Sequence, residues 1–143
     1  MQTLADKVMK FCSYQERSRL EVRRKMAALK MPPAEAERLL ADLVEMNFVS
    51  DERFAESFIR GKMNIKRWGK VKMRVELHQR GISDEIINQK FDEIDDEQYF
   101  ANLRYLVEKW SRENPQGEKV KLIKFLLSKG YEMGDINAIL NSH

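Results

Sequence analysis

Cysteine is nearly missing from this chain. Cys12 stands alone among 143 residues, so no intrachain disulfide forms and a reducing compartment is expected. Histidine is as scarce, with only His78 and His143. No HExxH, no CxxC and no glycine-rich phosphate loop after a strand occurs, so metal-ligand spacings and nucleophile–base arrangements find no support. No catalytic residue, metal or cofactor is expected, and the protein reads as one that works by binding, not as an enzyme. Long apolar runs are also missing: none approaches the roughly 18 residues of a membrane span. The first twelve residues, MQTLADKVMKFC, carry an early acid and no small-residue cleavage site, unlike a signal peptide. The expectation is a cytoplasmic protein with no membrane partner. Strand-type alternation of useful length is absent, which leaves helix.

What is present is charge. Charged residues make up 34% of the chain and apolar ones 43%. The mean hydropathy is −0.60. Enough apolar residue is available to exclude disorder, while the charge predicts much wetted helix surface and an elongated form. The net charge is only +3 and the pI about 9.0, so an anionic partner is suggested by where the charges cluster more than by their sum.

Helix boundaries are written in the usual start and stop residues. Thr3 with Asp6 and Ser18 with Glu21 form capping boxes, in which hydroxyl and carboxylate satisfy free backbone N–H groups. Leu4, Val8, Phe11 and Cys12 fall on one stripe of the first helix, which places Cys12 in the core and not in a reactive setting. Leu20, Val22, Met26 and Leu29 fill a second helix, with Arg23, Arg24 and Lys25 on its solvated face. Pro33 opens a third, filled by Ala36, Leu39, Leu40, Leu43 and Val44. Asn47 suits the left-handed residue that ends it. Ser50, with Asp51 and Glu52 behind it, starts a fourth helix, with Phe54, Ala55, Phe58 and Ile59 as its buried face. Gly69 opens a fifth, with Met73 and Leu77 inside, and Gly81 closes it. Ser83 starts a sixth, and Asp96 and Glu97 begin a long seventh. Asn114 to Gly117 (NPQG) is a turn. Val120, Leu122, Ile123, Leu126 and Leu127 fill the eighth helix, and Ile136, Ile139 and Leu140 the ninth.

These helices repeat. Met26, Leu77 and Leu126 recur at spacings of 51 and 49 residues, each followed by a turn residue (Lys30, Gly81, Gly130) and an apolar one (Met31, Ile82, Tyr131). Leu40, Phe91 and Leu140 continue the register. Repetition at this period means stacked helical modules that bury their faces against neighbours. The predicted fold is all-α: three tandem three-helix modules, about nine helices, at residues 1–49, 50–95 and 96–143, in a curved, elongated array.

The middle module is the basic one. From Arg60 to Arg80 there are eight Lys or Arg and one acid, Glu76, an excess of seven in a chain whose total is +3. A solvated surface around a linker is the plain reading, and a stripe that meets a polyanion is the functional one. At helical spacing Arg67, Lys70, Arg74 and His78 would share one side of a helix, with Trp68 able to stack on a base or fill a partner's pocket. The candidate binding residues are Arg60, Lys62, Lys66, Arg67, Trp68, Lys70, Arg74 and Arg80. The carboxylates from Asp84 to Glu97 read as helix-start and surface acids, not as a metal site.

Four segments together resemble the RecX family of recombinase regulators: RSRLEVRRKM (Arg17 to Met26), NFVSDERFAESFI (Asn47 to Ile59), RWGKVKMRVELHQRGIS (Arg67 to Ser83) and KVKLIKFLLSKGYEMGDI (Lys119 to Ile136). Asn47 stands where that family usually has glycine, and Lys30-Met31-Pro32-Pro33 departs from its usual first glycine turn. The resemblance implies three tandem three-helix modules that bind the groove of the RecA filament on single-stranded DNA. It implies a protein that limits filament growth or promotes disassembly, and so suppresses ATP hydrolysis, strand exchange and co-protease activity, tuning recombination, DNA repair and the SOS response. Weak direct DNA binding is a secondary expectation, and a monomer the default. The alternative is a stand-alone DNA-binding regulator that uses one helix-turn-helix-like module.

Overall fold

The computed structural model describes residues 1–142; His143 lies outside them. Among the described residues there are nine α-helices and no strand. They are α1 (Leu4–Tyr14), α2 (Arg19–Ala28), α3 (Pro33–Glu45), α4 (Asp51–Gly61), α5 (Lys70–Gln79), α6 (Asp84–Asp92), α7 (Asp96–Glu113), α8 (Lys119–Ser128) and α9 (Met133–Asn141). A five-residue π-helical turn, Lys62–Lys66, follows α4 directly.

The caps form as their residues dictate. The Thr3 hydroxyl accepts from Asp6 N at 3.0 Å while the Asp6 carboxylate accepts from Thr3 N at 3.1 Å. Ser18 and Glu21 exchange the same pair of bonds, and Ser50 and Ser83 accept from Arg53 N and Ile86 N. Each such cap is worth about 1 kcal/mol. Helix ends close in a left-handed residue at Lys30, Asn47, Gly81 and Gly130, with φ between 62° and 101°. Behind each, a backbone N–H reaches back five residues: Met31 to Met26 O, Phe48 to Leu43 O, Ile82 to Leu77 O, Tyr131 to Leu126 O. This double-bonded stop satisfies carbonyls that the helix would leave unpaired.

The repeat is a repeat of burial. Met26, Leu77 and Leu126 are at most 1% exposed, and Met31, Ile82 and Tyr131 are all buried. Fully burying a side chain of this size stabilises by roughly 1.5–3 kcal/mol, so these positions anchor each copy. Not every apolar residue of the predicted stripes is inside: Val120 and Leu127 of α8 are exposed, because only the Leu122–Leu126 edge of that helix faces the core. Cys12 packs against the core but is half-buried, and burial pushes its thiol pKa up against the lowering effect of Arg17.

Packing gathers the chain into two compact units. The first holds Met1–Ser57 with Leu77–Ile87, and the second Phe58–Glu76 with the chain from Asn88 on. Helices α4, α5 and α6 contribute residues to both. The first unit is built on Val8, Val22, Met26, Met31, Leu40, Leu43 and Val49. The second buries Met63, Met73, Tyr99, Leu103, Leu126, Tyr131 and Ile136. No described helix is long and apolar enough to cross a membrane.

Candidate functional site

The basic stretch enters the second unit through an irregular connection, and specific buried groups fix its path. In the π-turn after α4 the backbone bonds slip by one residue, which leaves a carbonyl to be satisfied from elsewhere. Asn102, only 4% exposed, supplies the donor: its Nδ2 lies 3.1 Å from Met63 O. Gln98 Nε2 donates to the Asn102 Oδ1 and fixes the amide's orientation. The turn ends at Arg67 in the left-handed conformation, φ 53°. The Tyr131 hydroxyl donates to Arg67 O at 2.8 Å and holds it there.

Two glycines make the next contact. A Cβ on Gly69 would stand 2.3 Å from Gly130 O, and one on Gly130 would stand 2.4 Å from Lys72 Cβ. The strand of chain before α5 therefore lies directly on the turn after α8, an approach that side chains would forbid. Gly69 N donates to Lys129 O, Lys70 N to the Tyr99 hydroxyl and Val71 N to Gly130 O, at 2.8–3.0 Å. The first N–H groups of α5 are thus already satisfied and offer nothing to an anion. Both tyrosines are buried. Burial raises the Tyr99 pKa to about 12 against the lowering effect of the Lys70 N–H, and burial raises the Tyr131 pKa as well.

On this frame the cations rest on aromatic rings. Lys62 Nζ and Lys72 Nζ lie 4.7 and 4.5 Å from the Trp68 ring centre, and Phe58 meets that ring edge-on. The Arg67 guanidinium lies 3.8 Å over Tyr105, Lys70 lies 4.9 Å over Tyr99, and Arg74 lies 5.2 Å over Phe91 while donating to Asn88. A stacking contact of this kind is worth about 0.5–1 kcal/mol at an exposed site, and it orients a cation without cancelling its charge. Lys62, Lys66, Arg67, Lys72 and Lys129 take part in no ion pair among the described residues. Partial burial lowers the Lys129 pKa, and the ammonium groups of Lys72, Lys66 and Lys109 push it further down. These four lysines therefore share one positive field.

Of the residues singled out by sequence, Arg60, Lys62, Lys66, Arg67, Trp68, Lys70 and Arg74 belong to the second unit, and Arg80 to the first. Arg60 and Lys66 are exposed; the others are half-buried. Arg67 does not line one side of α5 with Lys70 and Arg74 as its spacing suggested. It precedes the helix, because the π-turn ends on it. His78 pairs instead with Asp84, at 2.6 Å. Trp68 is a platform for its own cations, with Lys62 and Lys72 against its ring. Lys70 sits near acids, since Asp135 has its pKa raised by burial and by Glu132 and Asp96 but lowered by Lys70. Sequence reasoning missed Lys109, Lys129 and the tyrosines that hold Arg67 and Lys70. The available signal was a hydroxyl-bearing Tyr131 where the other two repeats place Met31 and Ile82. Among the described residues no cluster of His, Cys, Asp or Glu is placed to hold a metal.

Comparison with known proteins gives one consistent result. Residues 6–43, 50–90 and 96–140 match the first, second and third three-helix domains of RecX. The regulatory protein RecX of Clostridium tetani is 34% identical over 111 residues, which cover 73% of this chain but only 50% of that relative. Its namesake from Salmonella paratyphi A is 32% identical over 148 residues, covering 95% of this chain and 89% of the relative. The crystal structure of RecX from Lactobacillus salivarius superimposes with a TM-score of 0.88, covering 97% of this chain and 93% of that one, at 24% identity, a likeness of fold. With three family domains in order along the chain and a relative this similar across nearly all of it, the chain belongs to the RecX family of regulatory proteins.

Proposed function

We propose that this protein regulates RecA by lodging the cationic site of its second unit in the groove of a RecA filament on single-stranded DNA. Bound there, it limits filament growth and suppresses ATP hydrolysis, strand exchange and co-protease activity. It acts as a cytoplasmic monomer, by binding and without catalysis. The observation that carries this reading is the set of cations held on aromatic rings and left without carboxylate partners around Trp68, Arg67 and Lys129. Charges arranged in this way keep their attraction for a polyanion, and their binding weakens steeply with salt. Three-helix domains in tandem suit a partner that offers repeated subunits, because linked contacts multiply affinity.

RecA-dependent ATP hydrolysis on single-stranded DNA tests the reading. Substoichiometric amounts of this protein should suppress it. The combined Arg67→Ala, Lys72→Ala and Lys129→Ala variant should need about tenfold more protein or greater for the same suppression, equivalent to about 1.4 kcal/mol. A folded triple variant with full inhibition removes this site from the mechanism. Protection of a defined duplex sequence in the absence of RecA would instead favour a stand-alone DNA-binding regulator.

A further inference from the structure

The first unit has a basic hollow of its own, of about 430 Å³, and the basic stretch of the middle module plays no part in it. On α1, Lys7, Lys10, Phe11 and Tyr14 follow one another at i, i+3, i+4 and i+7, one face of the helix. Arg17, from the loop after α1, and Lys25, from α2, complete the wall. Arg17 is fixed in place: its Nε donates to Phe11 O at 3.0 Å, and its guanidinium carbon lies 3.7 Å over the Phe11 ring centre and 5.9 Å from that of Tyr14. Lys25 Nζ is 5.4 Å from the same Phe11 ring.

Four cations line the hollow and no acid does. None of the four takes part in an ion pair among the described residues. The nearby acids on the same helices, Asp6 and Glu21, are bound to the caps at Thr3 and Ser18. Elsewhere in this unit arginines do find carboxylates, Arg23 with Glu37 and Arg53 with Glu16. Tyr14 is 82% exposed at the rim, so core packing does not account for its ring.

From this geometry we propose that the hollow is a binding site for single-stranded nucleic acid, with a base stacked on Tyr14 beside the Arg17 plane and phosphates held by Lys7, Lys10 and Lys25. Planar stacking surfaces set among unpaired cations are what an unpaired strand recognises. An acidic peptide would use the ammonium groups and the guanidinium but leave the exposed Tyr14 ring without a role.

The test uses the full chain without RecA and a short oligothymidylate carrying 5-iododeoxyuridine. Irradiation should cross-link it to Tyr14, mapped by mass spectrometry. Tyr14→Ala should weaken binding about tenfold by fluorescence anisotropy, within the range of one base–aromatic stack. Lys7→Ala with Lys10→Ala should lower the slope of log affinity against log salt by about 1.4, for two phosphates on a single strand. These side chains are exposed, and circular dichroism checks that the variants fold. The Arg67→Ala, Lys72→Ala variant of the second unit should keep the Tyr14 cross-link at saturating oligonucleotide. Cross-links confined to the second unit, or a Tyr14→Ala variant with wild-type affinity, would overturn the assignment. So would displacement of the oligonucleotide by polyglutamate that is indifferent to Tyr14, which would make the hollow a site for acidic protein segments.

Discussion

At Lys30–Met31 in the first unit and Gly130–Tyr131 in the second, a helix stops with the same two backbone bonds. Lys30 N reaches Ala27 O and Met31 N reaches Met26 O; Gly130 N reaches Leu127 O and Tyr131 N reaches Leu126 O. Lys30 is exposed and sits at φ 62° in spite of its side chain, at a cost of about 1–2 kcal/mol. Gly130 has the chain of Gly69 and Lys72 pressed against it. The residue that follows differs too. Met31 fills the core, whereas Tyr131 fills it and also holds Arg67 by its hydroxyl. One repeated turn thus serves only the fold in one copy and positions the cationic site in the other. What covers a turn decides whether it must be glycine, and a polar atom added at a repeated core position ties that copy's core to a neighbouring segment.

Substitution at the two turns should therefore act with opposite sign, and this is the largest effect expected. Gly130→Ala sets a Cβ against the backbone of Lys72 at a positive φ and should destabilise the second unit by about 3 kcal/mol. Lys30→Gly relieves a left-handed lysine and should stabilise the first unit by about 0.5–1 kcal/mol. Trp68 and Trp110 both lie in the second unit, so urea unfolding followed by tryptophan fluorescence reads that unit, and circular dichroism reads both. Equal, small effects at the two turns would break the comparison.

Alkali should separate the units next. The buried hydroxyls of Tyr99 and Tyr131 hold their protons in the folded state beyond the ordinary tyrosine value. The native state then binds more protons than the unfolded one between about pH 10 and the Tyr99 value of about 12, so stability falls as pH rises through that window. Tyr14, the tyrosine of the first unit, is exposed, so that unit buries no phenol. The tryptophan signal should therefore report unfolding at a lower urea concentration as pH rises above 10, ahead of the loss of helix in the first unit. Coincident loss of both signals would contradict this.

The helix ends could be read from the sequence because the groups that make them are neighbours in it: Thr3 with Asp6, Ser18 with Glu21, and Asn47 at its left-handed position. The three copies could be read because Met26, Leu77 and Leu126, and Met31, Ile82 and Tyr131 after them, are buried in every copy, although Leu140 is only half-buried where Leu40 and Phe91 are buried. The site was legible as a concentration of charge and not as a geometry. Arg67 leaves the helical phase of α5 because Asn102, 39 residues further on, holds the π-turn open at Met63. Lys129 joins the site because Gly69 and Gly130 meet across a separation that no local pattern encodes.

Smaller in stability, but more telling for function, is Tyr131→Phe. It keeps the ring against Tyr99 and removes the bond to Arg67 O, which should cost about 1–2 kcal/mol. If the hydroxyl positions Arg67, inhibition of RecA ATP hydrolysis should fall under conditions where the variant is fully folded. A variant with lower stability and undiminished inhibition would confine Tyr131 to a structural role.

The least effect on stability is expected at Lys129→Gln, and its sign is informative. Burial and the neighbouring ammonium groups lower the Lys129 pKa in the folded state, so its charge opposes folding at neutral pH and that penalty fades only as pH rises towards the ordinary lysine value. The backbone carbonyl that Gly69 N uses is untouched by the substitution. The urea midpoint of the second unit should hold or rise slightly, while binding to the RecA filament weakens and its salt dependence becomes shallower. Unchanged filament binding by a more stable Lys129→Gln variant would show that the positive field of the second unit is not what the filament meets.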